Sequence, residues 1–320
     1  MPVTNVRGFA PTYWGNMMRE IDITFYNRQQ TALAGVLCLG SPVGTSSPAV
    51  LLCQGFSGVK HLVLPEVAAG LAQRGIASLR FDYSGFGESE GQRGWMDPRA
   101  RVDDALSAFA WLAQHDDVDA SRLGVYGHSF GGPVAICLGA RERRVRAVVS
   151  VSGPGSGTAM LQSMRTSWDW VAFKDRVEAA RATAATTGET TEVGINDIIP
   201  FSPEFFAAFE QLKADGGTSG LEAGSDANAN RFTLASVDAM VDFHPEDAAR
   251  RLGGRPLLLI HGAEDDTVAI ETVEPVFANA SGPKRWVIIP DAAHIDLDAG
   301  PGLARAITLA ADWFSEHTRS

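Results

Sequence analysis

Two short stretches hold residues whose types and spacing could do covalent chemistry. Gly127-His128-Ser129-Phe130-Gly131 is a G-x-S-x-G pattern. His261 to Val268, HGAEDDTV, packs one histidine and three consecutive acids into eight residues. A serine hydroxyl is a weak nucleophile at neutral pH, so it needs a base to take its proton and an acid to hold that base. Together these residue types point to acyl transfer through a serine. The pattern alone is weak, because Gly87-Glu88-Ser89-Glu90-Gly91 also matches it. Context separates the two. A nucleophilic serine must be thrust out at a sharp turn between a strand and a helix. Ser129 follows the strand-like RLGVY and precedes the helix-like GGPVAICLGA; Ser89 is followed by EGQRG, which starts no helix. Ser129 is the expected nucleophile and Ser89 an ordinary loop serine.

The base should lie downstream, since in a strand-turn-helix architecture of this kind the chain order is serine, acid, histidine, each on a loop at a strand end. His244, His261, His294 and His317 follow Ser129. His294 stands in PDAAHIDL, just past the strand-like RWVIIP, and is the expected base. On spacing alone the acid could be Glu264, Asp265 or Asp266.

Stepping out from these residues, short apolar runs alternate with helical patterns. AVLLCQGF (49–56), IASLRFDY (76–83), SRLGVYGHS, VRAVVSVSG, RPLLLIHG and RWVIIPD read as strands. LVLPEVAAGLAQRG (62–75), DPRARVDDALSAFAWLAQH (97–115), FGGPVAICLGARE, ETVEPVFANA and GPGLARAITLAADWFSEHT read as helices. Near-continuous apolar strands alternating with helices predict an α/β fold with a mostly parallel, doubly wound sheet. EIDITFYNRQQTALAGVLCLG alternates with period two around a polar centre and predicts an antiparallel hairpin at the sheet edge. About 100 residues then separate VRAVVSVSG from RPLLLIHG, where a crossover needs a dozen or more. That stretch contains two helical patterns, MRTSWDWVAFKDRVEAARATAAT and SPEFFAAFEQLKA, and a loop, DGGTSGLEAGSDANAN. The expected organisation is a core over 1–152 and 253–320 with a mainly helical cap over 153–252.

LLCQGFSG, RFDYSGFGESEG, GVYGHSFGG, LLLIHGAEDDTV and PDAAH stand in one order along the chain. With them the chain resembles the α/β-hydrolase superfamily over everything but the cap. GFSGVKHLVLPEVAAGLAQRGIASLRFDYSGFGES is similar to the dienelactone-hydrolase and dipeptidyl-peptidase-like branch, and to polyketide acyltransferases of the same fold. The family segment H-G-x-x-D-x-x-V maps onto His261, Gly262, Asp265 and Val268. The resemblance thus implies Asp265 as the acid and His261 as a structural brace. His128 is expected to be structural too. The resemblance also implies an oxyanion hole of two main-chain N–H groups, those of Phe130 and of Phe56. Where relatives read His-Gly before that second donor, this chain reads Gln54-Gly55; the donor is a backbone group, so the hole survives. Asp82 precedes Ser129, against the order, and is expected to stabilise its loop.

The cap carries Trp168, Trp170 and Phe173 on one pattern and Phe201, Phe205, Phe206 and Phe209 on the other. Some of these, with Trp168, Trp170, Phe173, Phe205 and Phe206 as candidates, are expected to line an apolar pocket, the rest to pack cap on core. The basic residues Arg165, Lys174 and Arg231 could hold a substrate carboxylate. The net charge of -11 argues against nucleic-acid binding. No run of eighteen apolar residues suggests a membrane span, and the N-terminus lacks a signal-peptide pattern, so a cytoplasmic protein is expected. Cys38, Cys53 and Cys137 sit in apolar stretches and are expected as reduced, buried thiols. No metal spacing is present and the serine chemistry needs no cofactor. The expected function is hydrolysis of a small-to-medium hydrophobic carboxylic ester, esters of aromatic acids included. The alternative is an acyltransferase that passes the same acyl group to an alcohol or amine; thioesterase, peptidase and non-catalytic binding readings stand behind these. Oligomeric state is not legible.

Overall fold

The computed structural model describes residues 18–42, 44–214 and 231–318. The N-terminal segment and the loop expected over 215–230 lie outside the described residues. Among the described residues the strands are β1 (Arg19–Tyr26), β2 (Ala32–Leu39), β3 (Ser47–Cys53), β4 (Ala77–Phe81), β5 (Val118–His128), β6 (Val145–Val151), β7 (Glu192–Gly194), β8 (Arg231–Thr233), β9 (Leu257–Gly262) and β10 (Lys284–Ile289). Eight of them form one sheet in the order β1-β2-β4-β3-β5-β6-β9-β10. β1 pairs antiparallel with β2, and β2 antiparallel with β4; every later pair in that sheet is parallel. The expected edge hairpin and parallel α/β sheet are therefore both present.

The helices are α1 (Leu64–Ala72), α2 (Pro98–Leu112), α3 (Gly131–Arg141), α4 (Gly157–Ser163), α5 (Ser167–Thr187), α6 (Ile195–Ile198), α7 (Pro203–Ala214), α8 (Asp238–Val241), α9 (Pro245–Arg250), α10 (Glu274–Asn279) and α11 (Gly300–His317). Alternate residues along the central strands feed two apolar layers. Leu51, Val125, Val148 and Leu259 share one layer with Val102, Phe109 and Leu112 of α2 and Val134 and Leu138 of α3. Val50, Leu52, Tyr126, Val149 and Ile260 share the other with Val67 and Leu71 of α1 and Leu303 and Phe314 of α11. Each fully buried Leu or Phe contributes about 1.5–3 kcal/mol of apolar burial. α2 starts where Asp97 accepts from the Arg99 and Ala100 amides and Pro98 takes the first helical position.

Between β6 and β9 the chain leaves the sheet. α5 begins at a Thr166 cap, ends at left-handed Gly188, and buries Trp170, Phe173, Val177 and Ala180 on one face. β7 and β8 pair antiparallel, a small sheet that the sequence reading of a helical cap did not contain. Three-residue strands carry too little alternation to be seen in sequence. β8 is stitched to the core: the Thr233 amide donates to the Gly94 carbonyl at 2.8 Å, and Phe232 is fully buried. Among the described residues no helix is long and apolar enough to cross a membrane.

Candidate active site

β5 delivers Ser129 one residue past its end, where the Ser129 amide donates to the Val151 carbonyl at 2.8 Å. Ser129 adopts φ 48°, a left-handed conformation that costs a non-glycine residue energy and marks a constrained turn. The flanking glycines make that turn possible. A Cβ on Gly127 would lie 2.1 Å from the Gly131 carbonyl oxygen, and one on Gly131 would lie 2.1 Å from that of Cys53. The spacing G-x-S-x-G is thus a steric requirement of this turn.

The loops after β9 and β10 bring an acid and a histidine to the same place. The Ala263 amide donates to the Ile289 carbonyl and the Glu264 amide to that of Ala292. A Cβ on Gly262 would sit 2.2 Å from the Ala292 oxygen, so only glycine lets the loops approach this closely. His294 lies in a hydrogen-bonded line: its Nε2 is 3.0 Å from Ser129 Oγ, and its Nδ1 is 2.8 Å from Asp265 Oδ2 and 3.0 Å from Oδ1. Asp265 Oδ1 also accepts from the Val268 amide at 2.7 Å and the Thr267 amide at 3.1 Å. The three acids are thereby distinguished. Asp265 has a side chain 1% exposed, Glu264 faces solvent, and Asp266 accepts from Ser202 of the inserted segment at 2.7 Å.

Burial would raise the Asp265 carboxyl; the charge and hydrogen bond of His294, then His261 and the Val268 amide, outweigh it and hold the group below the usual range. Burial would likewise lower His294, but the Asp265 carboxylate, with Asp298 and Asp266 further off, pushes it up to about 9. His261 is buried, its Nε2 donating to the Val268 carbonyl at 2.9 Å and lying 3.3 Å from Asp265 Oδ2. Burial lowers its pKa, so a neutral ring ties the strand end to the acid loop. His128 bonds through Nε2 to Asp298 at 2.5 Å, away from Ser129 Oγ.

The loop after β3 closes against the serine. A Cβ on Gly55 would be 3.2 Å from Ser129 Cβ and 3.7 Å from its Oγ. Gln54 braces the loop's entry: its amide donates to the Val59 and Leu62 carbonyls, and its oxygen accepts from the Gly55 amide at 2.6 Å. Neither the Phe56 nor the Phe130 amide has an acceptor among the described residues. Arg101 of α2, not singled out in the sequence, donates to the Gly55 carbonyl at 2.9 Å and to that of Phe56 at 2.8 Å while 2% exposed. Its only trace in sequence is register: Arg101 shares a helical face with the buried Ala105, Ala108 and Leu112. Lys60 was missed as well. It is 1% exposed and ion-paired to Asp82 at 2.7 Å and to Glu88. Asp82 Oδ2 also accepts from the Glu88 amide, so Asp82 organises its loop. Ser89 is spent within it, donating to the Asp82 carbonyl.

Among the aromatic candidates, Phe205 meets the candidate catalytic histidine. Phe205 is buried with its ring 6.5 Å from that of His294; it stacks on Phe201 at 4.2 Å, with Phe206 edge-on to both. Trp170 and Phe173 stack on each other, buried on α5, with Arg165 3.8 Å over Phe173 and Lys174 over Trp170. Trp168 is 85% exposed. Two residues along a helix turn the side chain about 200°, so Trp168 and Trp170 cannot share a face. Arg165 ties the Leu161 and Ile198 carbonyls and Arg231 pairs with Glu192, so both are engaged within the insertion. The three cysteines are free thiols, each pushed up to about 12 by burial. Among the described residues no group of three or more His, Cys, Asp or Glu side chains could hold a metal ion.

Comparison with known proteins gives a consistent picture. A polyketide transferase, claH, of Penicillium crustosum is 27% identical over 282 residues, 85% of this chain and 89% of that protein. A thiohydrolase, aneE, of Aspergillus aculeatus is 26% identical over 288 residues, 87% of each chain. The solved structure of a hypothetical protein from Pseudomonas aeruginosa superposes with a TM-score of 0.80 at 24% identity, covering 98% of this chain and 100% of that one. The family model described as the alpha/beta hydrolase fold matches residues 48–301, and with the sheet order above the chain belongs to that family.

Proposed function

We propose that the protein is a serine hydrolase that forms an acyl-enzyme on Ser129 from a small-to-medium hydrophobic carboxylic ester. The observation that carries this reading is the unbroken line from Ser129 Oγ through both nitrogens of His294 to Asp265, set beside two unbonded main-chain amides. In this mechanism Ser129 Oγ attacks the ester carbonyl carbon as neutral His294 takes the hydroxyl proton at Nε2. The carbonyl π electrons move onto oxygen, and the Phe56 and Phe130 N–H groups donate to that oxyanion. Asp265 holds the ring tautomer and stabilises the imidazolium. The tetrahedral intermediate collapses, the C–O bond to the alcohol breaks, and His294 protonates the leaving oxygen. Water then repeats the sequence on the acyl-serine, giving the acid and restoring Ser129.

The Phe201–Phe205 stack beside His294 favours a flat apolar acyl group, including that of an aromatic acid. A second reading, acyl transfer to an alcohol or amine, is favoured by relatives named polyketide transferase and acyltransferase. The first half of the reaction is shared; only the second nucleophile differs. A fluorophosphonate probe should label Ser129, as read by peptide mass spectrometry, and Ser129→Ala should lose both label and esterase activity. A Ser129→Ala protein with full esterase activity sinks the reading. Mass analysis of products with and without an added alcohol or amine separates hydrolysis from transfer.

A further inference from the structure

We propose that Arg101 is the positioning residue of the oxyanion hole, gripping the Gly55 and Phe56 carbonyls so that the Phe56 N–H faces the substrate oxygen. The inference rests on the acyl-enzyme reading above.

A trans peptide is planar, with its C=O and N–H pointing in opposite directions. The Gly55 carbonyl and the Phe56 amide belong to one such plane. A donor that holds the carbonyl from one side therefore sets the direction of the N–H on the other. Arg101 does this at 2.9 Å, and at 2.8 Å it holds the next carbonyl as well, so both peptide planes flanking Phe56 are pinned by one rigid group. The held plane adjoins the nucleophile, since Gly55 abuts Ser129. Gly55's own N–H is occupied by Gln54, whereas that of Phe56 is not.

The side chain is also an unusual choice for mere filling. Burying a guanidinium needs compensation, yet among the described residues no carboxylate forms an ion pair with it, Asp104 acting only at longer range; Nη1 and Nη2 donate to main chain, Nε has no partner, and its faces meet Tyr83 and Phe86 at 4.7 and 4.6 Å. An apolar residue would fill that volume without desolvating a charge. What arginine adds is a planar fork that reaches two acceptors at once. Lysine, a compact ammonium with rotatable donors on a flexible stem, does not hold both planes with one rigid group.

The test uses the full-length chain carrying Arg101→Gln or Arg101→Lys, p-nitrophenyl butyrate as substrate, and an aryl trifluoromethyl ketone. The ketone adds to the serine and places an oxyanion in the hole. Removal of one oxyanion donor costs about 10²–10³ in kcat, so Arg101→Gln should lower kcat by that range. KM should stay within about threefold, because the interaction is made only in the transition state. The trifluoromethyl ketone should weaken in parallel with kcat, and Arg101→Lys should fall between wild type and Arg101→Gln. Folded variants that keep kcat and ketone affinity within about threefold of wild type overturn the proposal. So does a rise in KM at unchanged kcat. If both variants fail to fold, by circular dichroism and thermal melting, Arg101 is a stability residue and the proposal is also overturned. Failure of the underlying reading looks different: wild-type protein would then leave Ser129 unlabelled by the fluorophosphonate, and both would fall.

Discussion

Ser129 and Asp265 are seated by backbone hydrogen bonds, whereas Phe201, Phe205 and Phe206 pack ring against ring. On the sheet side, Asp265 accepts from the Thr267 and Val268 amides, the Ser129 amide donates to the Val151 carbonyl, and three glycines leave no room for an alternative. On the insertion side, α7 reaches the site through stacked rings, and Ser202, just before the helix, donates to Asp266. Stacked aromatics tolerate repacking at a cost of about 1 kcal/mol, while a carbonyl 2 Å from a new Cβ does not. In the proposed reading, the sheet loops fix the reaction and the inserted helices set the acyl group.

The largest expected effect comes from breaking the line at its far end. Asp265→Asn should lower kcat/KM by about 10⁴ at neutral pH, because the imidazole loses its tautomer lock. The pH profile gives the sign. His294 acts as a base only when neutral, so activity falls as pH drops through its pKa, which lies above the ordinary histidine value, near 9. Removing the carboxylate leaves burial as the main influence, so the acidic limb of kcat/KM should move to lower pH. A limb that stays in place breaks the assignment of Asp265 as the group that raises His294.

Gly131→Ala should follow. The new Cβ would meet the Cys53 oxygen at 2.1 Å, and relief means moving the elbow that carries Ser129. A fall in Tm, corresponding to about 1–3 kcal/mol, should accompany near-complete loss of activity. Phe205→Ala tests the other side: the ratio of kcat/KM for aromatic over short aliphatic esters should fall by about 10–100-fold, with the aliphatic rate largely kept. An equal loss on both substrates would make Phe205 part of the catalytic scaffold and blur the contrast. Trp168→Ala, at an 85% exposed position, should change stability by no more than about 0.5 kcal/mol and leave kinetics alone. A marked shift in KM would return Trp168 to the substrate side.

Legibility in the sequence followed the range of the interactions. The elbow was legible because strand, turn and helix adjoin in the chain, and the glycines report local sterics. Spacing alone left Glu264, Asp265 and Asp266 open; the family segment chose among them, and the structure shows the physical difference, with Thr267 and Val268 amides turned toward Asp265 alone. Arg101, Lys60 and the His128–Asp298 pair were missed because a buried charge is chosen by partners far along the chain, 46, 22 and 170 residues away. Nothing local distinguishes Arg101 from its exposed neighbour Arg99 except helical register.

The amino-acid sequence by itself determined the alternation of strands and helices, the edge hairpin, and the order in which serine, acid and histidine occur. Those follow from side-chain periodicity and backbone sterics, which act over a few residues. The tertiary structure alone decided which aromatic ring reaches His294 and which cation grips the loop beside Ser129. Those depend on where distant segments cross, and crossing is set by packing the two faces of the sheet rather than by any local pattern.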